Sequence, residues 1–211
     1  MLVTLPQLAA FLAAAVLITL SPGPDNLMVL SQGISRGRRH GMAFGLGCAL
    51  GCLNHTLLAA LGISALIAAS PAAFAALKIA GGGYLVYLGW GTIRSPGVGF
   101  DAGGDGAGPQ GSLAATFRRG LIANAINPKV VLFFLAFLPQ FVNPAQGPAG
   151  LQTAILGTLF SAQGALIFGA LGYFSGHVGQ WLARSRKTGQ WLDRTAGAIF
   201  IALGLRLILA R

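Results

Sequence analysis

The residues best equipped for chemistry stand where charge is costly. Ser21-Pro22-Gly23-Pro24-Asp25-Asn26 interrupts an apolar run that starts near Leu8 and resumes at Leu27. Asp25 is one of four acidic residues in the chain, and there is no glutamate. A second interruption, Asn124 to Lys129, carries Asn127, Pro128 and the cation. An ionisable side chain at membrane depth is expensive and marks a binding or proton-transfer site. Asp25 could take a substrate ammonium or carry a proton; Lys129 could face a substrate carboxylate or Asp25. A zwitterion such as an amino acid needs both signs. Asn124 and Asn127, three residues apart, share a helical face and offer donors and acceptors. Ser21 and Asn26 are supporting polar groups that can also serve the backbone. Structural roles compete: Asp25 suits the cap of a half-helix starting at Leu27, and Lys129 can snorkel toward an interface.

Other polar residues are more ambiguous. Cys48, Cys52 and His55 stand at i, i+4 and i+7, so they share a helix face. A soft metal would accept that spacing, but no fourth ligand is evident, and tight packing by small thiols with a cavity-facing histidine explains it better. His55 could relay protons, since histidine titrates near neutral pH. Lys78 and Gln163 read as cavity-lining or snorkelling groups. No cofactor, metal or catalytic residue is assigned: a lipid-active enzyme would need a nucleophile–base pair or clustered acids, and none is present.

The elements that must position these residues are apolar helices. The sequence is 55% hydrophobic and 9% charged, with mean hydropathy +0.72; soluble domains carry roughly a quarter charged residues. The 32 glycines suit closely approaching membrane helices. The net charge of +10 lacks the basic, aromatic-interleaved stripe of a nucleic-acid binder. A span needs about 20 apolar residues. Candidates run from about Leu8 to Ile34 (broken at Ser21–Asn26), Met42 to Ala69, Ala72 to Ile93, Gly120 to Val142 (interrupted at Asn127-Pro128-Lys129), Leu151 to Phe174, and Thr195 to Leu209. The first reads as an uncleaved span, having no basic n-region. The expectation is an all-α, polytopic transmembrane bundle of six spans; a five-span form leaves the sixth segment interfacial.

Ten of the fourteen Lys/Arg residues fall after spans one, three and five. The positive-inside rule then places those segments in the cytoplasm and both termini in the periplasm. Spans one and four each open a group of three, and each is interrupted by proline. Interrupted segments at matching places in two inverted halves point to a midplane transport site. The chain therefore divides into repeat one (about 1–94), a glycine-rich flexible loop (95–116, with Asp101 and Asp105) and repeat two (about 117–211). The glycine-bearing sixth span is compatible with a homo-oligomer.

Ser21-Pro22-Gly23-Pro24 followed by Gly37, Gly41 and Gly45 resembles the first signature of the LysE/RhtB family of amino-acid exporters. Phe117-Arg118-Arg119-Gly120, Asn124, Asn127-Pro128-Lys129, Phe133-Phe134 and Leu138-Pro139-Gln140-Phe141 resemble its second. Lys78, Gly81, Tyr84-Leu85, Leu88-Gly89-Trp90, Asp193-Arg194, Gly197 and Gly204 extend the likeness over essentially the whole chain. The first signature commonly begins with threonine; Ser21 keeps the hydroxyl. The resemblance implies a bacterial inner-membrane exporter of amino acids or related small metabolites, driven by the proton-motive force, with protons and the lipid bilayer as its partners. The rival is an exporter of a metal ion or other small solute with the same architecture.

Overall fold

Proline placement decides where the helices stop and restart. A computed structural model describes residues 2–21, 23–94, 111–184 and 186–209. Helix α1 (Leu5–Leu20) opens on a capping box in which Thr4 accepts from the Gln7 N–H and Gln7 reaches back to Thr4. Pro24 has no N–H for the Leu20 carbonyl, so the helix ends there. The chain restarts as α2 (Pro24–Arg36), with the proline at the first helical position, where its missing N–H costs nothing. The two are bent by 55°.

The second break repeats this logic. Helix α5 (Leu113–Ala125) ends before Asn127, whose Oδ1 accepts the Lys129 N–H at 3.0 Å and caps α6 (Pro128–Leu132). A π-turn (Phe133–Phe137) and a 3-10 turn (Leu138–Phe141) continue it. The bend across this break is 51°.

The remaining helices are α3 (Arg38–Ala69), α4 (Pro71–Ile93), α7 (Ala149–Tyr173), α8 (Ser175–Arg184) and α9 (Arg186–Leu209). Among the described residues there is no strand. Arg38–Gly62 of α3 and all of α7 are long and apolar enough to cross a membrane, as is each bent pair taken as one span. Helices α4 and α9, of 23 and 24 residues, pack against each other.

Two sequence boundaries move. Residues 113–116, assigned to the loop, form the first turn of α5 because Ser112 caps it: its hydroxyl accepts the Ala115 N–H at 3.2 Å. The rest of that loop, 95–110, lies outside the described residues. The basic stretch 181–194, read as an inter-helix segment, is divided between α8 and the start of α9, which makes the last helix longer than expected. Hydropathy marks where a helix can be buried, and cations on a helix end do not stop it.

Glycines set the helix–helix distances. A Cβ at Gly47 of α3 would lie 2.1 Å from the Phe117 carbonyl oxygen of α5, and one at Gly120 would lie 2.1 Å from the Phe44 carbonyl oxygen. Gly89 and Gly197 do the same for α4 and α9, each 2.5 Å from the other's carbonyl oxygen. These helices touch backbone to backbone. Side chains fill two separate cores. The larger joins Phe11, Ile18, Phe133, Phe134, Phe137 and Phe160; the smaller joins Val29, Phe44, Cys48, Ala49 and Phe168.

Candidate functional site

Each half-helix that follows a break opens with proline and then a charge, and the charges are opposite. Pro24 and Asp25 begin α2; Pro128 and Lys129 begin α6. Pro22 lies outside the described residues. The cap of α2 is Gly23, not Asp25, because the half-helix starts at Pro24 rather than Leu27. Asp25 instead sits in the first turn, where a carboxylate complements the positive helix end.

Each charged side chain is bound by the opposite half. Lys129 is 8% exposed, and its ammonium donates to the carbonyls of Ile18 and Ser21, both at 3.0 Å, and to the Ser21 hydroxyl at 3.4 Å. Those carbonyls stand where the α1 ladder has run out of donors and its dipole is negative. An ammonium has three N–H groups, and all three are engaged. Gly23 clears the approach: a Cβ there would lie 3.0 Å from Nζ. Asp25 is 3% exposed, and its Oδ2 accepts from Asn124 Nδ2 at 3.0 Å, in the last turn of α5. Among the described residues no acidic side chain forms an ion pair with Lys129, and no other hydrogen bond reaches the Asp25 carboxylate.

The amides around the breaks have defined orientations, because a carbonyl can only accept. Asn26 Nδ2 donates to the Thr19 carbonyl at 2.8 Å, which leaves its buried Oδ1 without a partner. Asn124, fully buried, accepts the Cys52 thiol at 3.5 Å through Oδ1. Its carbonyl oxygen faces His55 Nε2 at 3.2 Å, so that nitrogen carries the proton of the hydrogen bond. Asn127 spends Oδ1 on the α6 cap, and its buried Nδ2 has no partner. Gln163 donates to the Thr19 hydroxyl at 2.8 Å and to the Phe160 carbonyl at 3.0 Å.

A narrow cavity of about 20 Å³, room for about one water molecule, lies between the two cores. Its wall includes Thr19, Asp25, Asn26, Cys52, Asn124 and Lys129, with Ile18, Ala49, Val130, Phe160, Gly164 and Phe168 supplying the apolar part. Of the sequence-predicted residues, Asp25, Asn26, Asn124 and Lys129 thus share one wall. Ser21 and Asn127 adjoin it as partners of Lys129; His55 and Gln163 lie one hydrogen bond behind. The Lys78 side chain lies outside the described residues. Cys48 and His55 are not on this wall, and among the described residues no three His, Cys, Asp or Glu side chains converge as metal ligands. Thr19, Phe160 and Phe168 escaped the sequence reading. Thr19 stands two residues before the first break, where a polar side chain in an apolar run was the available signal; the phenylalanines gave none.

Residues 16–211 match the LysE type translocator family model. The chain belongs to that family. It is similar, at 30% identity over 95% of its length and 94% of the relative's, to an uncharacterized membrane protein of Pseudomonas aeruginosa. A homoserine/homoserine lactone efflux protein of Salmonella typhimurium is 29% identical over 96% of both chains. An uncharacterized membrane protein of Bacillus subtilis is 28% identical over 95% of this chain and 97% of its own. No solved structure matches. This member of the family is a polytopic helical membrane translocator, not an enzyme.

Proposed function

We propose that this translocator exports an amino-acid-like metabolite from the cytoplasm across the bacterial inner membrane, in exchange for protons, by alternating access around the cavity between the two breaks. The observation that carries the reading is Asp25: a buried carboxylate on the wall of a small cavity, held at one oxygen by Asn124, with no other hydrogen bond to it among the described residues. A carboxylate so placed can take up either a substrate ammonium or a proton, which is what antiport of an amine requires. The efflux activity named for the Salmonella relatives supports a small amine as cargo. Asn26 and Asn124 position the carboxylate and add acceptor and donor capacity. Ser21 accepts from Lys129 at the first break and Asn127 caps α6 at the second; His55 and Gln163 buttress the wall.

The reciprocal packing of the two bent pairs supports two inverted halves, with α3 beside α5 and α7 beside both α1 and α2. Six spans with both termini periplasmic complete this reading, which the cation pattern supports.

The test is Asp25→Asn in proteoliposomes under an imposed pH gradient. Amino-acid flux driven by the gradient falls to the protein-free level, while the variant inserts and purifies like the parent. Undiminished flux would remove Asp25 from the coupling role.

A further inference from the structure

Helices α2 and α5 run in opposite directions between the breaks and the basic end, and polar groups fasten them together at both ends. At the inner end, Asn124 of α5 donates to Asp25 of α2 at 3.0 Å. At the outer end, the half-buried Arg36 donates to the Thr116 hydroxyl at 3.4 Å and to the Gly111 carbonyl at 2.9 Å, while Gln32 accepts from it at 3.2 Å. Thr116 is buried, and its oxygen lies 2.9 Å from His40 Nδ1. At about 1.5 Å of rise per residue, the two fastenings stand roughly 16 Å apart along α2.

The neighbouring seams are built otherwise. Helix α3 meets α5 backbone to backbone at Gly47 and Gly120; a Cβ at Gly172 of α7 would lie 2.4 Å from the Met42 nitrogen of α3, and one at Gly33 of α2 would lie 2.1 Å from the Ser175 hydroxyl of α8. Among the described residues no such glycine contact joins α2 to α5. Close-packed backbone excludes water, whereas a side-chain hydrogen bond at a helix end can be exchanged for one to water. Helix α2 also leaves its outer end through Gly37 alone, at φ +90, where a Cβ would meet nothing within 4 Å. The cavity beside Asp25 has room for about one water molecule, so a seam must part before any amino acid reaches the carboxylate.

Resting on the export reading above, we propose that the α2–α5 seam is the cytoplasmic gate to Asp25, with Arg36 and Thr116 as its outer latch and the Asp25–Asn124 bond as its inner one. The carboxylate that receives the cargo ammonium thus also holds the gate, so cargo competes with Asn124 for it and loading is tied to the state of the seam.

Cys52, buried on the cavity wall, is a native reporter of access. The test places the full chain, in a Cys48→Ala background, in sealed vesicles and measures by mass spectrometry how fast a small impermeant cationic methanethiosulfonate modifies Cys52 from each face. Arg36→Ala and Thr116→Val each speed modification roughly tenfold or more, only from the face that carries Arg36. Thr116→Ser, which keeps the hydroxyl, labels like the parent. So does Gln7→Ala, which loosens the opposite end. Unchanged rates in Arg36→Ala and Thr116→Val, a gain from the opposite face, or an equal gain in Gln7→Ala would overturn the gate. Gradient-driven flux in the parent alongside any of those results would leave export standing, and absence of that flux would overturn both.

Discussion

Lys129 and Asp25 do structural work before any solute arrives. The ammonium gathers the carbonyls that α1 leaves open, and the carboxylate anchors the last turn of α5 through Asn124. Replacing Lys129 by alanine strands those carbonyls in a buried site. The expected cost is about 1–3 kcal/mol per acceptor left without a partner or water. It reads out as a lowered unfolding temperature in detergent. Because the ammonium is committed to the backbone, Lys129→Ala lowers transport of free acids and of their amides by the same factor. A loss confined to free acids would instead assign the amine to substrate carboxylate. The two charged positions were legible in the sequence, since a lone acid and a proline-flanked lysine in apolar runs stand out. Their partners were not legible. Which carbonyl Lys129 reaches depends on a contact 108 to 111 residues away in the chain, and no local pattern encodes it.

At the scale of elements, two proline-interrupted helices and the glycine contacts define the interior. The breaks could be read directly, because proline lacks the N–H that a continuous helix needs. The π-turn at Phe133–Phe137 could not, because five apolar residues read the same in an α- or a π-register. Helix α8 was missed for a related reason: a short basic segment with exposed Trp181 has no apolar stripe long enough for a span. The glycines make a sharp prediction. Gly47→Ala and Gly120→Ala each place a methyl group about 2 Å from a carbonyl oxygen across the α3–α5 contact. Neither oxygen can move without its helix, so each variant loses about 1–3 kcal/mol, measured as thermal stability in detergent. Gly83→Ala, where a Cβ meets nothing within 4 Å, leaves stability unchanged. Equal behaviour of all three would mean that α3 and α5 sit farther apart than described.

Across the whole molecule, the two ends differ in kind. One carries Arg36, which binds Gln32, Thr116 and the Gly111 carbonyl, with Arg38 close to it in sequence and Arg118 and Arg119 just after Thr116. At the other, Gln7 donates to the Phe141 carbonyl oxygen, and rings run from Phe141 through Phe137 and Phe133 to Phe160 on the cavity wall. If the basic end faces the cytoplasm, as proposed, a membrane-impermeant maleimide labels Arg119→Cys only in inside-out vesicles and Ala145→Cys in intact cells; the native Cys48 and Cys52 are buried. The reverse labelling pattern would invert the orientation.

The crossed attachment of the two breaks carries a consequence for the chain as an assembly. Residues 2–94 contain an α1 end completed by an amine from elsewhere, and residues 111–209 contain an amide whose anion comes from elsewhere. Neither portion is self-sufficient. Severed between Arg94 and Gly111 and made together in one cell, the two fragments would recover their missing groups only from each other, as tightly as the uncut chain does. Made separately, each would keep an unmet demand in its interior.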